Sequence, residues 1–382
     1  NVRIGYVSDS FIPSGAANSM HVMKMGQALA QEGHQVRLTA KKSWGAMAPD
    51  KGYLMSHYGL ERLFPIRLIP YHRLTKGLDY DIRSVLWAKR PGCDMIYTRS
   101  IRAALFATAI GHNTIFEAHN VPAGSLGAWY FRRILNNGNL SKVVAITHAL
   151  KKLLLENFSD VLYDDRVIVA PDGVDLERFS NRPTKAEARL ALNLDPQDFV
   201  AGYVGHLYPG RGVEQILDIA KRSHDIVFLF VGGTPQDIAN RKRQAAEMAL
   251  DNVRIVGFVA NSELPTFYAA CDVLLMPYQR EVAVSGGGNT ANYMSPMKMF
   301  EYMATGRMII ASDLPVLREI LDDTNAVLCD PDDIPAWRNA LQRAKIDAEW
   351  SLSLAVNASA KVENFTWKRR VQNIFHDFTP AN

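Results

Sequence analysis

The chain is poor in cysteine: Cys93, Cys271 and Cys329 stand far apart, with no CxxC pair. That excludes a disulfide framework and a thiolate zinc site, and it points to a reducing compartment with incidental thiols. Long apolar runs are lacking too, since none reaches the roughly 18 residues that a membrane-spanning helix needs. The opening NVRIGYVS reads as a first core strand and not as a signal peptide, so the expected location is cytoplasmic. Neither charge sign dominates. The formal net charge is only +4, and no nucleic-acid partner is expected from it. No GxSxG elbow and no low-complexity run is present.

What is present is an ordinary folded composition, 48% hydrophobic and 21% charged, over 382 residues, a length comfortable for two domains. Short apolar runs alternate with longer helical patterns. Strands are expected at 2–8, 35–39, 95–98, 114–117, 143–146 and 167–170, then at 199–204, 226–231, 253–256, 273–276, 308–311 and 326–329. Helices are expected at 19–32, 101–110, 147–158, 213–222, 262–270, 296–304 and 334–345. Continuously apolar strands separated by helices predict parallel sheets covered on both faces. The pattern therefore predicts two doubly wound, Rossmann-like α/β domains in tandem. The join is expected in PDGVDLERFSNRP, where Pro, Gly and Asp punctuate the chain. This gives a first domain over 1–178, completed by a C-terminal helix of about 365–382, and a second over 179–364.

Charge is unevenly spread. Residues 1–180 hold 22 Lys and Arg against 15 Asp and Glu, and the remainder holds 21 against 24. A basic first half suggests a negative partner or surface. Residues 62–90 interleave Arg62, Arg67, Arg73, Lys76, Arg83, Lys89 and Arg90 with Leu63, Phe64, Ile66, Leu68, Ile69 and Trp87. Such a stretch suits peripheral contact with an anionic membrane face or an anionic acceptor, or is a plainly solvated basic face.

Three loops carry the candidate chemistry. DSFIPSGAANSMH follows the first strand, where Gly15 and Ala16 let backbone N–H groups approach an oxyanion, and Asn18 or Ser19 is expected to cap the next helix. The first loop lacks GxGxxG spacing, so it carries no dinucleotide fingerprint. GHLYPGRG, residues 205–212, has nearly the spacing of a Walker loop but no hydroxyl after its basic residue to hold Mg²⁺. Its Arg211 offers a fork suited to phosphate oxygens, and His206 is a second donor. SGGGNTANYMSPMKMFEYMATG, residues 285–306, has Gly286, Gly287 and Gly288 ahead of a helix entry at Ser295–Pro296. Lys298 in its first turn opposes the helix dipole, which a bound anion would relieve. Glu301 lies inside a largely buried helix and needs a partner, either Lys298 or a ribose diol. FEAHN places His119 just past a strand. Asp79-Tyr-Asp81, in an irregular basic stretch, and Asp330-Pro-Asp332, in turn chemistry, resemble DXD metal motifs but read as structural.

Taken together, FEAHN, VVAITHALKKLL, VAPDGVDLERF, GHLYPGRG, VGFVANSELPTFYAACDVLLMP and SPMKMFEYMATGRMIIASDLPVLREIL resemble the family-four retaining glycosyltransferases, in order and over nearly the whole chain. The resemblance implies the GT-B fold, two facing Rossmann-like domains with a UDP-sugar donor in the cleft between them. It implies that Gly15, Ala16, His206, Arg211, Ser295, Pro296, Met297 and Lys298 hold the diphosphate, Glu301 the ribose, and Phe258 and Val259 the base. His119, Asn292 and Tyr293 would meet the donor sugar, and His119, Arg211 and Glu301 would be the catalytic set. No metal or other cofactor is implied, because cations and backbone dipoles supply the neutralising charge.

The sequence departs from the family twice. His206 stands where relatives carry Arg, and Tyr293 stands where an acid commonly pairs with Glu301, its contacts passing to the backbone of 287–292. The implied activity is transfer of a glucose- or glucuronic-acid-type sugar to a saccharide or polyprenyl-linked acceptor in envelope or exopolysaccharide assembly. A UDP-sugar epimerase and a non-catalytic sugar-nucleotide sensor are the rival readings.

Overall fold

The structure, a computed structural model, describes residues 1–43, 45–282 and 289–378. Two compact units divide the chain: Asn1–Asp172 with the C-terminal segment from Trp367, and Gly173–Thr366. The sequence puts the first join after residue 178. The contact pattern changes hands at Asp172, whose carboxylate is bonded to His21 of the first unit.

The first unit is a seven-stranded sheet: β1 Arg3–Phe11, β2 Gln35–Lys42, β3 Ile66–Pro70, β4 Met95–Thr98, β5 Thr114–Ala118, β6 Leu140–Ala145 and β7 Val167–Val169. Its spatial order is β3-β2-β1-β4-β5-β6-β7, all parallel, with Ile4 opposite Met95 and Val7 opposite Thr98. The second unit has β8 Val200–Val204, β9 Val227–Val231, β10 Val253–Gly257, β11 Val273–Met276, β12 Met308–Ser312 and β13 Val327–Cys329, in the order β10-β9-β8-β11-β12-β13. Central strands are buried along their whole length: MIYT in β4, TIFEA in β5, VLLM in β11 and MIIAS in β12. Such strands need cover on both faces, and each apolar side chain so buried is worth about 1.5–3 kcal/mol.

Helices supply that cover through their spacing. In the first unit, Ala17–Gln31 buries Val22, Met25 and Leu29, and the C-terminal helix Trp367–Phe375 packs against it. Trp367, Val371, Ile374 and Phe375 fall on one stripe and are all buried. In the second unit, Trp337, Leu341, Leu217, Phe228 and Phe230 form the core between helices and sheet. Among the described residues no helix is long and apolar enough to cross a membrane.

The structure corrects the sequence expectation most in residues 62–90. That stretch is not irregular: it holds β3 and the helix Leu78–Ala88, with Asp79 and Asp81 in the helix's first turn. Phe64 and Ile69 are core residues, while Arg67 faces solvent on an edge strand, which blunts edge-to-edge pairing. The helix Pro235–Glu247 also escaped the pattern, because Ala245 is its one buried residue. A capping box between Thr234 and Asp237 starts it instead of an apolar stripe.

Two glycines of GHLYPGRG have a structural task. Gly210 and Gly212 adopt φ of +85° and +82°. A Cβ on Gly210 would stand 2.0 Å from the Glu281 carbonyl oxygen, and one on Gly212 would stand 1.8 Å from that of Pro277. The loop thus packs its own backbone against 277–281, and the Gln279 N–H donates to the Gly210 carbonyl at 2.8 Å. Gly15 is different, since nothing lies within 4 Å of where its Cβ would be. Gly212→Ala should therefore destabilise the second unit by at least about 1–3 kcal/mol, whereas Gly15→Ala should stay within about 0.5 kcal/mol. Calorimetric melting of both variants checks the contrast.

Candidate active site

In each sheet the strand order reverses beside the first strand, at β1/β4 and at β8/β11. Open α/β sheets leave a crevice beyond the carboxyl ends of the strands at that point, because crossovers depart to opposite sides. Gly15 and Ala16 follow β1 and His206 and Arg211 follow β8, whereas His119 follows β5 and Phe258 and Val259 follow the edge strand β10.

In the second unit, GHLYPGRG leaves β8 and Pro277–Tyr278 leaves β11. The Arg211 guanidinium donates to the Tyr278 hydroxyl at 3.2 Å and lies 5.2 Å from the centre of that ring. No carboxylate pairs with it among the described residues, and its Nε is buried without a partner. The cation is thus held against an aromatic face with no carboxylate beside it among the described residues. The His206 ring stacks on Tyr208 at 4.7 Å. Burial, with Arg211 and Lys298 nearby, pushes its pKa down to about 4, so it is neutral at pH 7. The helix Met297–Ala304 begins at Pro296 and has no side-chain cap, so its first N–H groups carry an unanswered partial positive charge. Pro296 is the capping residue itself, where the sequence suggested the first turn. The helices Ala17–Gln31 and Val213–Ala220 likewise start uncapped, from Ala16 and Gly212. Asn18 makes no cap, and the Ser19 hydroxyl bonds back to the carbonyls of Ser14 and Ala16.

Glu301 is buried, but its partners are protein groups. It takes Lys298 Nζ at 3.0 Å, Arg178 Nη1 at 3.3 Å and the Tyr268 hydroxyl. Burial works against its charge, yet Lys298 and Arg178 outweigh it and hold the carboxyl far below the usual range. Two of these donors share Oε2, and Oε1 keeps accepting capacity for a ligand hydroxyl. Arg178 was missed in the sequence although it lies in the quoted DLERF; nothing in the pattern marks it as facing Glu301. Phe258 and Val259 leave the end of β10, Phe258 largely exposed and Val259 half-buried. Asn292 is exposed and Tyr293 half-buried, on a turn closed by the Tyr293 and Met294 N–H groups to the Thr290 carbonyl. Ser295 is half-buried just ahead of the helix. The glycines 286–288 lie outside the described residues. Asp330 and Asp332 both pair with Arg280, at 2.7 and 2.6 Å, and Asp79 with His72 and Thr75, so the DXD look-alikes are structural.

In the first unit, His119 sits just beyond β5 and directs Nε2 to the Glu117 carboxylate. Glu117 is fully buried and also accepts from Tyr97 and from Arg370 Nη2 at 2.9 Å, with His21 Nε2 at 2.7 Å. His21 Nδ1 bonds Asp172 at 2.9 Å. Burial opposes the charge on His21, but Glu117 and Asp172 outweigh it and raise its pKa, so two carboxylates face one imidazolium and one guanidinium. Burial and Arg99 push His119 down to about 4, leaving a neutral ring whose Nδ1 is free to accept a hydrogen bond. His21, Glu117 and His119 come close enough together to share a cation. The Arg370 guanidinium stands against the same Glu117 carboxylate at 2.9 Å. Arg370 had a sequence signal: it lies on the buried stripe of Trp367, Val371 and Ile374, an expensive place for an unpaired charge.

These two sites lie in a chain whose likeness to known proteins is extensive. The family description "Glycosyltransferase Family 4" matches residues 19–178, and "Glycosyl transferases group 1" matches 198–346. The chain belongs to the family-four, group-1 glycosyltransferases. It is 24% identical to a phosphatidyl-myo-inositol mannosyltransferase of Mycolicibacterium smegmatis, over 96% of this chain and 90% of that protein. To a D-inositol 3-phosphate glycosyltransferase of Salinispora tropica it is 27% identical over 56% of this chain, and the match spans 46% of that relative, about half its length. Among solved structures, the Anabaena protein HepE in complex with UDP-glucose matches with a TM-score of 0.74 over 98% of this chain and 99% of its own, at 19% identity. Sucrose-phosphate synthase of Thermosynechococcus elongatus matches at 0.73 over 98% of each chain, at 20% identity. These likenesses establish the fold as GT-B.

Removing Arg370 leaves Glu117 buried beside fewer cations. Arg370→Met should cost about 3–5 kcal/mol, read as a fall in melting temperature. The His21 contribution has the opposite pH sense to a carboxylate's, because its folded pKa is raised. It is present in full below about pH 6.5 and is lost as pH rises through the folded value. The stability gap between the parent and His21→Gln should therefore narrow in alkali, as paired melts across pH will show.

Proposed function

We propose that the protein is a retaining, metal-independent glycosyltransferase that moves a glucose- or glucuronic-acid-type sugar from a UDP-sugar to a hydroxyl of a saccharide or polyprenyl-linked saccharide. The observation that carries the reading is Arg211: a half-buried guanidinium with no carboxylate partner, in the same unit as the uncapped start of Met297–Ala304. That combination suits a diphosphate, whose negative charge grows as it leaves. HepE, solved with UDP-glucose, supports the class of donor, and relatives named for glycosyl transfer to inositol-type acceptors support transfer to a hydroxyl.

In this reading the bond between the anomeric carbon and the diphosphate oxygen breaks, and its electron pair goes to the diphosphate. The acceptor oxygen bonds the anomeric carbon on the same face, and its proton passes to the departing phosphate oxygen. Arg211, Lys298 and the N–H groups of Met297 and Lys298 stabilise the leaving charge, joined by the backbone at Ser295 and at Gly15–Ala16. His206, neutral at working pH, adds a hydrogen bond but no charge, so Arg211 carries more of the load than in relatives with Arg at that place. Glu301 Oε1 accepts from the ribose, the base rests by Phe258 and Val259, and Asn292, Tyr293 and the free Nδ1 of His119 orient the sugar. The exposed Arg62, Arg67, Arg73, Lys76, Arg83 and Arg90, with Leu74 wholly exposed among them, favour peripheral contact with an anionic cytoplasmic membrane face in polysaccharide assembly.

Arg211→Ala should lower kcat roughly 10²–10³-fold while the melting temperature barely moves. Turnover within threefold of the parent would sink the diphosphate assignment. Full activity in EDTA is expected, and strong inhibition would bring back a metal. With donor alone, an isomerised UDP-sugar would indicate an epimerase, and binding without UDP release on any acceptor would indicate a sensor.

A further inference from the structure

A pocket of about 310 Å³ opens in the first unit where its strand order reverses, at the carboxyl ends of β1, β4 and β5. Its polar walls are Asp9, Lys41, Asp81, Arg99, Arg102 and Asn120. None of these belongs to the donor site described above. Some of their charges are settled within the protein. Asp81 takes Arg102 Nε at 2.7 Å and the Ser100 hydroxyl at 3.1 Å, and Arg102 Nη1 also reaches the Lys76 carbonyl at 2.9 Å.

The others are not settled. Lys41, at the end of β2, has its ammonium 4.8 Å from the centre of the Tyr71 ring and 5.6 Å from those of Phe11 and Tyr80. Among the described residues it makes no ion pair. Aromatic faces hold it, and burial lowers its pKa. Arg99 is largely buried, and its Nε stands 3.6 Å from Asp9 Oδ1, too far for a hydrogen bond. Asp9 Oδ1 is itself buried without a hydrogen-bond partner. Three cations face two carboxylates, so one positive charge is in excess. The helix Gly124–Leu135 also starts at the pocket, from Ala123, without a side-chain cap.

A pocket near the small end of the usual ligand range of about 300–1,000 Å³ suits one sugar-sized group. Lys41 and Arg99 call for an anion. Asp9, an acceptor with no donor, calls for a hydroxyl. We propose that this pocket binds a hydroxylated acceptor residue bearing one anionic group, a uronate carboxylate or a phosphate ester, with the anion on Lys41 and Arg99 and a hydroxyl on Asp9. The proposal rests on the glycosyltransfer reading and sets the acceptor's chemistry within it. Two groups of opposite demand in one pocket select against neutral sugars, which leave Lys41 unanswered, and against bare anions, which leave Asp9 unanswered.

Titration calorimetry on the full chain tests this with methyl glucuronide, glucose 6-phosphate and neutral methyl glucoside, run beside UDP. At least one anionic sugar should bind about tenfold or more tightly than methyl glucoside, the scale of one hydrogen bond to a charged group. Which of the two binds better decides between carboxylate and phosphate. Lys41→Met should erase the preference, Arg99→Gln should weaken it, and both variants should keep the parent's UDP affinity and melting temperature, which shows they are folded. Equal binding of all three sugars, or a preference that survives in both variants, overturns the proposal. Loss of UDP binding by the parent would instead strike at the donor reading and leave the pocket result standing. Inorganic phosphate binding as tightly as glucose 6-phosphate would remove the role given to Asp9 and overturn the proposal as well.

Discussion

A parallel sheet whose strand order reverses beside its first strand leaves one crevice that no crossover can cover. Both units of this chain are built on that constraint. It decides which loops meet: those after β1 and β4 in one unit, and those after β8 and β11 in the other. In the second unit the loop after β8 brings Arg211 and the loop after β11 brings Tyr278. The same fold with other loops would be equally stable and would do something else.

The loops differ in how they handle charge. Around Glu117 the first unit sets two carboxylates against the Arg370 guanidinium and the His21 ring, all nearly dry. Around Arg211 the second unit leaves a cation beside Tyr278 with no carboxylate partner among the described residues. Removing an ion from water costs several kcal/mol even after relaxation. Glu301 lies between these cases, tied by Lys298, Arg178 and Tyr268 yet with accepting capacity left on Oε1.

Much of the fold was legible because it obeys the simplest pattern in the sequence. β4 and β11 fall on the residues that their apolar runs mark, and most other strands lie within a few residues of expectation. The failures have physical causes. β3 is an edge strand with an exposed arginine, so it never reads as a run, and Pro235–Glu247 is polar nearly all round. The site was legible as a set of loops but not as a set of bonds. GHLYPGRG draws notice as a near phosphate loop, and its Arg211 rests on Tyr278 with no carboxylate partner among the described residues. Its Gly210 and Gly212 make room for the backbone of 277–281. His119 was seen alone, whereas Glu117, two residues before it, ties it to His21 and Arg370, and His21 to Asp172; those three come from distant places, a relation that no spacing encodes.

Arg370 is the last of those five groups to be synthesised. Glu117 is buried at the centre of the first unit, yet its guanidinium partner arrives some 250 positions later, after the entire second unit. A first unit emerging from the ribosome therefore lacks both a helix over Ala17–Gln31 and a counter-charge for its most buried acid. The second unit has no such debt and can close on its own residues. Synthesis order and folding order are thus opposed in this chain: the unit made first is the one that must wait, its apolar face open, until the whole second unit has been made.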